Sequence, residues 1–243
     1  MANWQDPQTT GVNTATVGVP RAARDVGLRS HMLKVYNYMA SGVLLTGIVS
    51  LLFFNSGYAE QIMLGGGILP WIIILSPLAI VFAMSFGVNR MATSTLQMLF
   101  WAFATLMGLS MSTIFLVYTG TSIAQTFFAT AAAFLGLSLY GYTTKRDLSG
   151  FGTFLIMGVV GILVAMLINM FLQSSAMALA ISAIGVLLFA GLTAYDTQRI
   201  KSMYFYVQGT EMVGKTVIMG ALTLYLDFIN MFQFLLSFMG NRR

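Results

Sequence analysis

"TVIMGALTLYLDFINMFQFLLSFM", residues 216–239, decides the fold. These twenty-four residues carry one formal charge, Asp227, in an otherwise apolar run. About twenty such residues cross the ~30 Å hydrocarbon core of a bilayer as an α-helix. A carboxylate near the middle of such a span costs roughly 2.5–3.5 kcal/mol on insertion scales. Asp227, Asn230 and Gln233 recur at spacing three, so they share one helix face, a polar stripe flanked by Phe and Leu. Lipid cannot solvate that stripe. The segment is therefore expected to lie at the centre of a bundle, enclosed by the other spans.

Those other spans are visible in the same way. Of the 243 residues, 58% are hydrophobic and 8% charged, against about 25% charged in a soluble domain. Seven apolar segments are long enough to cross a bilayer, near 33–54, 70–88, 96–118, 125–143, 151–173, 176–198 and 216–239. The chain thus reads as an all-α integral membrane protein. Residues 1–30 are polar and read as a flexible cytoplasmic arm, and 31–243 as the membrane domain. The first apolar run is too long for the core of a cleaved signal peptide. Small residues at spacing four, Ala129–Ala133 and Ala176–Ala180, suit close helix packing or arise by chance in an Ala- and Gly-rich chain.

Charge sets the orientation. Ten of the twelve Lys and Arg residues fall on the side of the amino terminus, and Arg242 and Arg243 on the other. This asymmetry predicts a cytoplasmic amino terminus and an outside carboxyl terminus. It also accounts for the net charge of +5 without nucleic acid. The compact loops favour a bacterial plasma (inner) membrane.

Several chemistries are excluded. The chain has no cysteine, so it has no disulfide and no thiolate. Its one histidine, His31, precedes the first apolar run and reads as solvated or headgroup-facing. No His-rich zinc site can be built. No lysine lies deep in a late span to hold a retinal, and no histidine lies in a span to activate a serine. No phosphate-binding loop occurs, and the "GGG" at 65–67 reads as a turn. No enzyme chemistry is visible and no cofactor is implied.

The ionisable groups that touch the spans are Arg90, Asp147, Asp196 and Asp227, with the amides Asn169 and Asn230 at depth. Asp196 ends the sixth run in "GLTAYDTQRIK" (191–201). A terminal aspartate there can pair with Arg199, or sit inside the bundle if the helix runs two turns further with its cations snorkelling. Arg90 in "FGVNRMATS" (86–94) is either a plain positive-inside residue or an ion-pair partner for Asp196. In "TTKRDLSG" (143–150), Asp147 or Ser149 is placed to cap the fifth span.

Three of these stretches, "GLTAYDTQRIK", "TKRDLSGFG" (144–152) and "LTLYLDFINMFQFLL" (222–236), resemble the signatures of the Bax inhibitor-1 family, also called the transmembrane Bax inhibitor motif family. The resemblance covers residues 30 to 240. It implies a seven-helix bundle with the seventh helix central. It also implies a pH-dependent calcium leak whose sensor pair falls on Asp196 and Asp227, with Arg90 as a latch. Some relatives carry an acidic residue in the second span, whereas 70–88 here has none.

Elementary chemistry is compatible with such a sensor. Two buried carboxyl groups within reach cannot both ionise cheaply, so they share a proton and titrate as a unit. Ca²⁺ prefers oxygen ligands and can replace that proton, with Asn230 and Asn169 as auxiliary polar groups. A rival reading keeps the pair as a proton-sharing staple in a non-conducting bundle that binds and regulates other membrane proteins, such as a protease or a stress or death regulator. A proton-coupled carrier is less favoured, because the apolar pattern shows no inverted repeat.

Overall fold

The computed structural model describes residues 21–242, with side chains from residue 26 onward. The described chain forms nine helices: α1 (Arg21–Asn55), α2 (Tyr58–Leu64), α3 (Leu69–Gly87), α4 (Thr93–Met111), α5 (Thr113–Val117), α6 (Gly120–Thr143), α7 (Ser149–Leu172), α8 (Ser175–Val207) and α9 (Met212–Met239). Seven segments are long and apolar enough to cross a membrane, with α4 and α5 together making the third. The expected all-α, seven-span bundle is the observed one.

Local chemistry sets the helix ends. Pro70 lies in the first turn of α3, where a missing N–H costs nothing. Thr119 caps α6 by accepting from the Ser122 amide, and Ser174 caps α8 by accepting from the Met177 amide, each at 3.3 Å. Gln173 closes α7 in the left-handed region (φ 49°), which allows the tight turn into α8. Gly66 and Gly67 (φ 77° and 91°) form the turn expected of the "GGG" stretch.

α9 is the central helix. Of its most apolar window 61% is buried, against 11% for α7 and 17% for α3. Its neighbours are α8, α1, α6 and α4, so four spans enclose it rather than six. α3 packs chiefly on α4, and α7 on α8. Neither α3 nor α7 carries a formal charge, and lipid satisfies their side chains, so nothing drives them inward. Around α9 the core is aromatic. Tyr225 is fully buried, with ring centroids 5.0 Å from Phe103 and 6.4 Å from Phe100. Its hydroxyl lies 2.6 Å from Thr46 Oγ1, which donates to the Ala104 carbonyl at 2.8 Å.

Four sequence expectations need correction. First, residues 21–30 are helical, as part of α1, rather than part of an arm; residues 1–20 lie outside the described residues. Second, the sixth span continues to Val207, well past 198: Arg199 is exposed on it, and half-buried Lys201 bonds the Tyr142 carbonyl of α6. Third, His31 is 3% exposed, covered by that extension: its ring centroid is 5.2 Å from that of Tyr204. Fourth, Ala129, Ala133, Ala176 and Ala180 are all exposed and mediate no close packing. The close approach occurs instead where Gly141 of α6 meets the Ala194 backbone of α8.

Candidate functional site

The site is the contact of α8 and α9. Asp196 is 7% exposed and Asp227 4%. α8 runs about three turns past Asp196, so the carboxyl lies within the helix rather than at its end. The two carboxyl groups lie within hydrogen-bonding reach of one another. Asp227 Oδ2 is buried and has no hydrogen-bond partner among the described residues. Ionised carboxylates only accept, so a bond between two of them forms when one holds a proton.

The cations around this pair are arranged differently from the sequence expectation. Arg199, one turn on, is the cation whose field reaches Asp196. Arg90 is exposed in the turn after α3, where its amide bonds the Gly87 carbonyl at 2.9 Å. The cation docked on that end of α3 is Lys215, whose Nζ donates to the Val88 carbonyl at 3.1 Å. A cavity of about 320 Å³ opens here, lined by Val88, Asn89, Asp196, Arg199, Thr216 and Thr223 among others. Asp196 thus lines this cavity, and Asp227 does not.

Asn230 and Asn169 are not brought to the carboxyl pair. Asn230 Nδ2 donates to the Leu226 carbonyl at 2.8 Å, and Asn169 Oδ1 accepts from the Ser174 amide at 3.1 Å. Both line a second cavity, of about 430 Å³, at the end of the bundle that holds the α7–α8 turn.

Other polar groups join the site through contacts that spacing does not reveal. Tyr36 Oη lies 2.6 Å from Ser138 Oγ, which lies 3.0 Å from Thr197 Oγ1, so hydroxyls link α1, α6 and α8 beside Asp196. Gln198 donates from Nε2 to the Arg146 carbonyl at 2.7 Å and accepts from the Leu148 amide at 2.9 Å. Two of the recognised stretches, 191–201 and 144–152, therefore meet through this one side chain. Lys201 Nζ donates to the Tyr142 carbonyl at 2.7 Å and tightens the same corner. Asp147 Oδ1 accepts from the Ser149 amide at 2.9 Å and its hydroxyl at 2.6 Å, a turn just before α7; the N-cap position is Leu148, which makes no side-chain cap, so neither Asp147 nor Ser149 is the cap expected from sequence. Those bonds hold the Asp147 carboxyl below the usual carboxylate range.

Among the described residues, no group of three or more His, Cys, Asp or Glu is gathered for a metal. The pair alone is an oxygen-only donor set with one unpartnered buried oxygen. Such a set suits a hard cation held weakly.

The fold and the site define a class: a multi-pass, seven-helix membrane bundle with a carboxyl pair where its last two helices meet. The chain belongs to the Bax inhibitor-1 family, since residues 28–243 match the family described as "Inhibitor of apoptosis-promoting Bax1". It is 50% identical to the uncharacterized protein RP147 of Rickettsia prowazekii, over 90% of this chain and 92% of that one. It is 45% identical to the inner membrane protein YbhL of Escherichia coli, over 92% and 95%. A more distant relative, the uncharacterized protein YrjE of Lactococcus lactis, is 37% identical over 89% and 93%. Family membership makes this a non-catalytic membrane protein.

Proposed function

We propose that the protein is a pH-sensitive calcium leak of a bacterial inner membrane, gated by proton sharing between Asp196 and Asp227. The observation that carries this reading is the unpartnered, buried Oδ2 of Asp227, in a carboxyl group set beside Asp196, which lines a cavity. At low pH the pair shares a proton and stays closed upon itself. At high pH both groups ionise and repel, and Asp196 turns toward a permanent cation. Arg90 is the proposed latch. It would engage by an inward swing of the turn whose neighbouring residue, Asn89, already lines the cavity. The local charge change then biases a two-state arrangement of helices. Ca²⁺ is the cargo, admitted to the oxygens that a proton vacates. The distribution of Lys and Arg supports a cytoplasmic amino terminus and an outside carboxyl terminus.

A second reading has its own support. The cavity at Asp196 and the cavity at Asn230 share no lining residue. A bundle that stays closed in this way would use the aspartates as a staple and act by binding and regulating other membrane proteins. Ca²⁺ flux into liposomes, measured against pH, separates the two. The leak reading expects flux whose pH dependence is flattened by Asp227→Asn and by Asp196→Asn, but not by Glu60→Gln or Glu211→Gln. If both aspartate variants keep the wild-type profile, the staple reading takes its place. A tag at residue 243 that reports cytoplasmic exposure would overturn the orientation.

A further inference from the structure

The cavity of about 430 Å³ between α7, α8 and α9 lies away from the carboxyl pair and carries more polarity than a lipid-facing groove can hold. Asn169, Ser182, Asn230, Gln233 and Ser237 all line it. Only part of this polarity is satisfied by protein. Ser182 Oγ bonds Ser237 Oγ at 3.0 Å, Asn230 uses one amide hydrogen on Leu226, and Asn169 caps the α7–α8 turn. Gln233 is exposed, and its amide makes no hydrogen bond among the described residues. An unsatisfied amide in hydrocarbon costs several kcal/mol, so acyl chains are a poor filling for this space. Water is a good one, because the cavity is roomy and offers several polar partners.

The polar lining also has a direction. Asp227, Asn230, Gln233 and Ser237 follow one another along α9. At 1.5 Å per residue the stretch from Asp227 to Ser237 covers about 15 Å, half the thickness of the hydrocarbon core. The polar lining of this cavity begins at Asn230, one turn beyond Asp227, and runs to the end of the bundle; neither aspartate is part of it. The cavity of about 320 Å³ touches the carboxyl pair through Asp196. Side-chain carbonyl oxygens of Asn and Gln are hard donors that can replace water around a divalent cation one at a time. The rings of Phe189 and Phe234, stacked at a centroid distance of 5.8 Å, form the apolar wall of this cavity.

We propose that the cavity lined by Asn169, Asn230 and Gln233 is a water-filled outer vestibule that admits hydrated divalent cations from the outside as far as Asn230, one helical turn short of Asp227. This inference rests on the leak reading above. Its occupant is a hydrated cation such as Ca²⁺.

The absence of cysteine makes the test direct, since any thiol introduced is the sole one. Gln233→Cys, Asn230→Cys and, as a lipid-facing control on α7, Leu167→Cys are reconstituted separately in liposomes. A charged, membrane-impermeant methanethiosulfonate reagent is added outside, and both labelling and Ca²⁺ flux are read. The expected result is modification at 233 and 230 but not at 167, with loss of flux in the modified variants and no change in the cysteine-free parent. Two vestibule positions are used so that a variant that fails to fold does not decide the outcome. Absence of labelling at both folded positions overturns the vestibule, because the cavity is then dry. Labelling that leaves flux intact also overturns it, and places the route elsewhere while the leak reading stands. Absence of flux in the unmodified parent overturns the leak reading, and the permeation route with it, whatever the labelling shows.

Discussion

α7 and α9 both cross the membrane, yet they solve opposite problems. α7 has no charged residue and leaves most of its surface to lipid, with Met157, Val160 and Leu167 more than half exposed. α9 carries a carboxyl, two amides and a buried tyrosine, and protein surrounds most of its length. Polarity in the span is not a defect of insertion but a statement of position. The helix that can least be placed in lipid is the one around which α1, α4, α6 and α8 assemble.

The sharpest way to break this comparison is to give α7 what α9 has. Val160 is 57% exposed near the middle of α7. Val160→Asp puts a carboxylate against hydrocarbon and should cost roughly 3 kcal/mol on an insertion scale. The expected outcome is a large loss of inserted, folded protein, read by membrane fractionation and by resistance to alkaline extraction. Normal insertion would mean that α7 is sheltered and that the contrast between the two helices is false.

Glycines give a smaller and signed version of the same comparison. A Cβ on Gly141 of α6 would collide with the Ala194 carbonyl of α8, which is backbone and cannot turn aside. A Cβ on Gly161 of α7 would meet nothing within 4 Å. Gly141→Ala should therefore destabilise by about 1–3 kcal/mol, as overpacking does. Gly161→Ala should stabilise by up to about 1 kcal/mol, because a helix interior gains from losing a glycine. Thermal unfolding of the two variants in detergent checks the opposite signs.

The same contrast explains what could be read from sequence. All seven spans were legible, because length and apolarity are local properties and lipid enforces them directly. The central place of α9 was legible because one aspartate and two amides cannot be left in lipid. Contacts between distant spans were not legible. His31 lies before the apolar run and looks solvated until α8 is known to extend to Val207 and bring Tyr204 over it. Asn230 shares a helix face with Asp227, but its carbonyl-bonded amide sits with Asn169 in a separate cavity. Arg90 is the cation that sequence places at the end of α3, and only the packed structure shows that Lys215 reaches the Val88 carbonyl there. Helical spacing predicts a shared face, whereas the neighbour on that face is set by loop lengths and by how far each helix continues.

The gentlest test lies outside the spans, at the turn that begins α7. Here a carboxylate is at the surface, where water already solvates it. Asp147 is fully exposed and is held below the usual carboxylate range by the hydroxyl and amide of Ser149. A carboxyl whose folded pKa is depressed contributes stability above its unfolded pKa, and the contribution is lost as pH falls through the folded value. The effect of Asp147 should therefore be complete at neutral pH and fade only on the acid side of the ordinary carboxylate range, near 3.8 and below. Asp147→Ala should lower the thermal midpoint slightly at pH 7 and leave it unchanged once the wild-type carboxyl is protonated. Amide exchange at Ser149 should lose protection over the same acid interval in the wild type and be unprotected throughout in the variant. A large effect at neutral pH would mean that this turn, clamped by Gln198 to α8, is part of the cooperative core rather than a solvated edge. The division between a lipid-facing α7 and a protein-facing α9 would then have to be redrawn from the turn that begins α7.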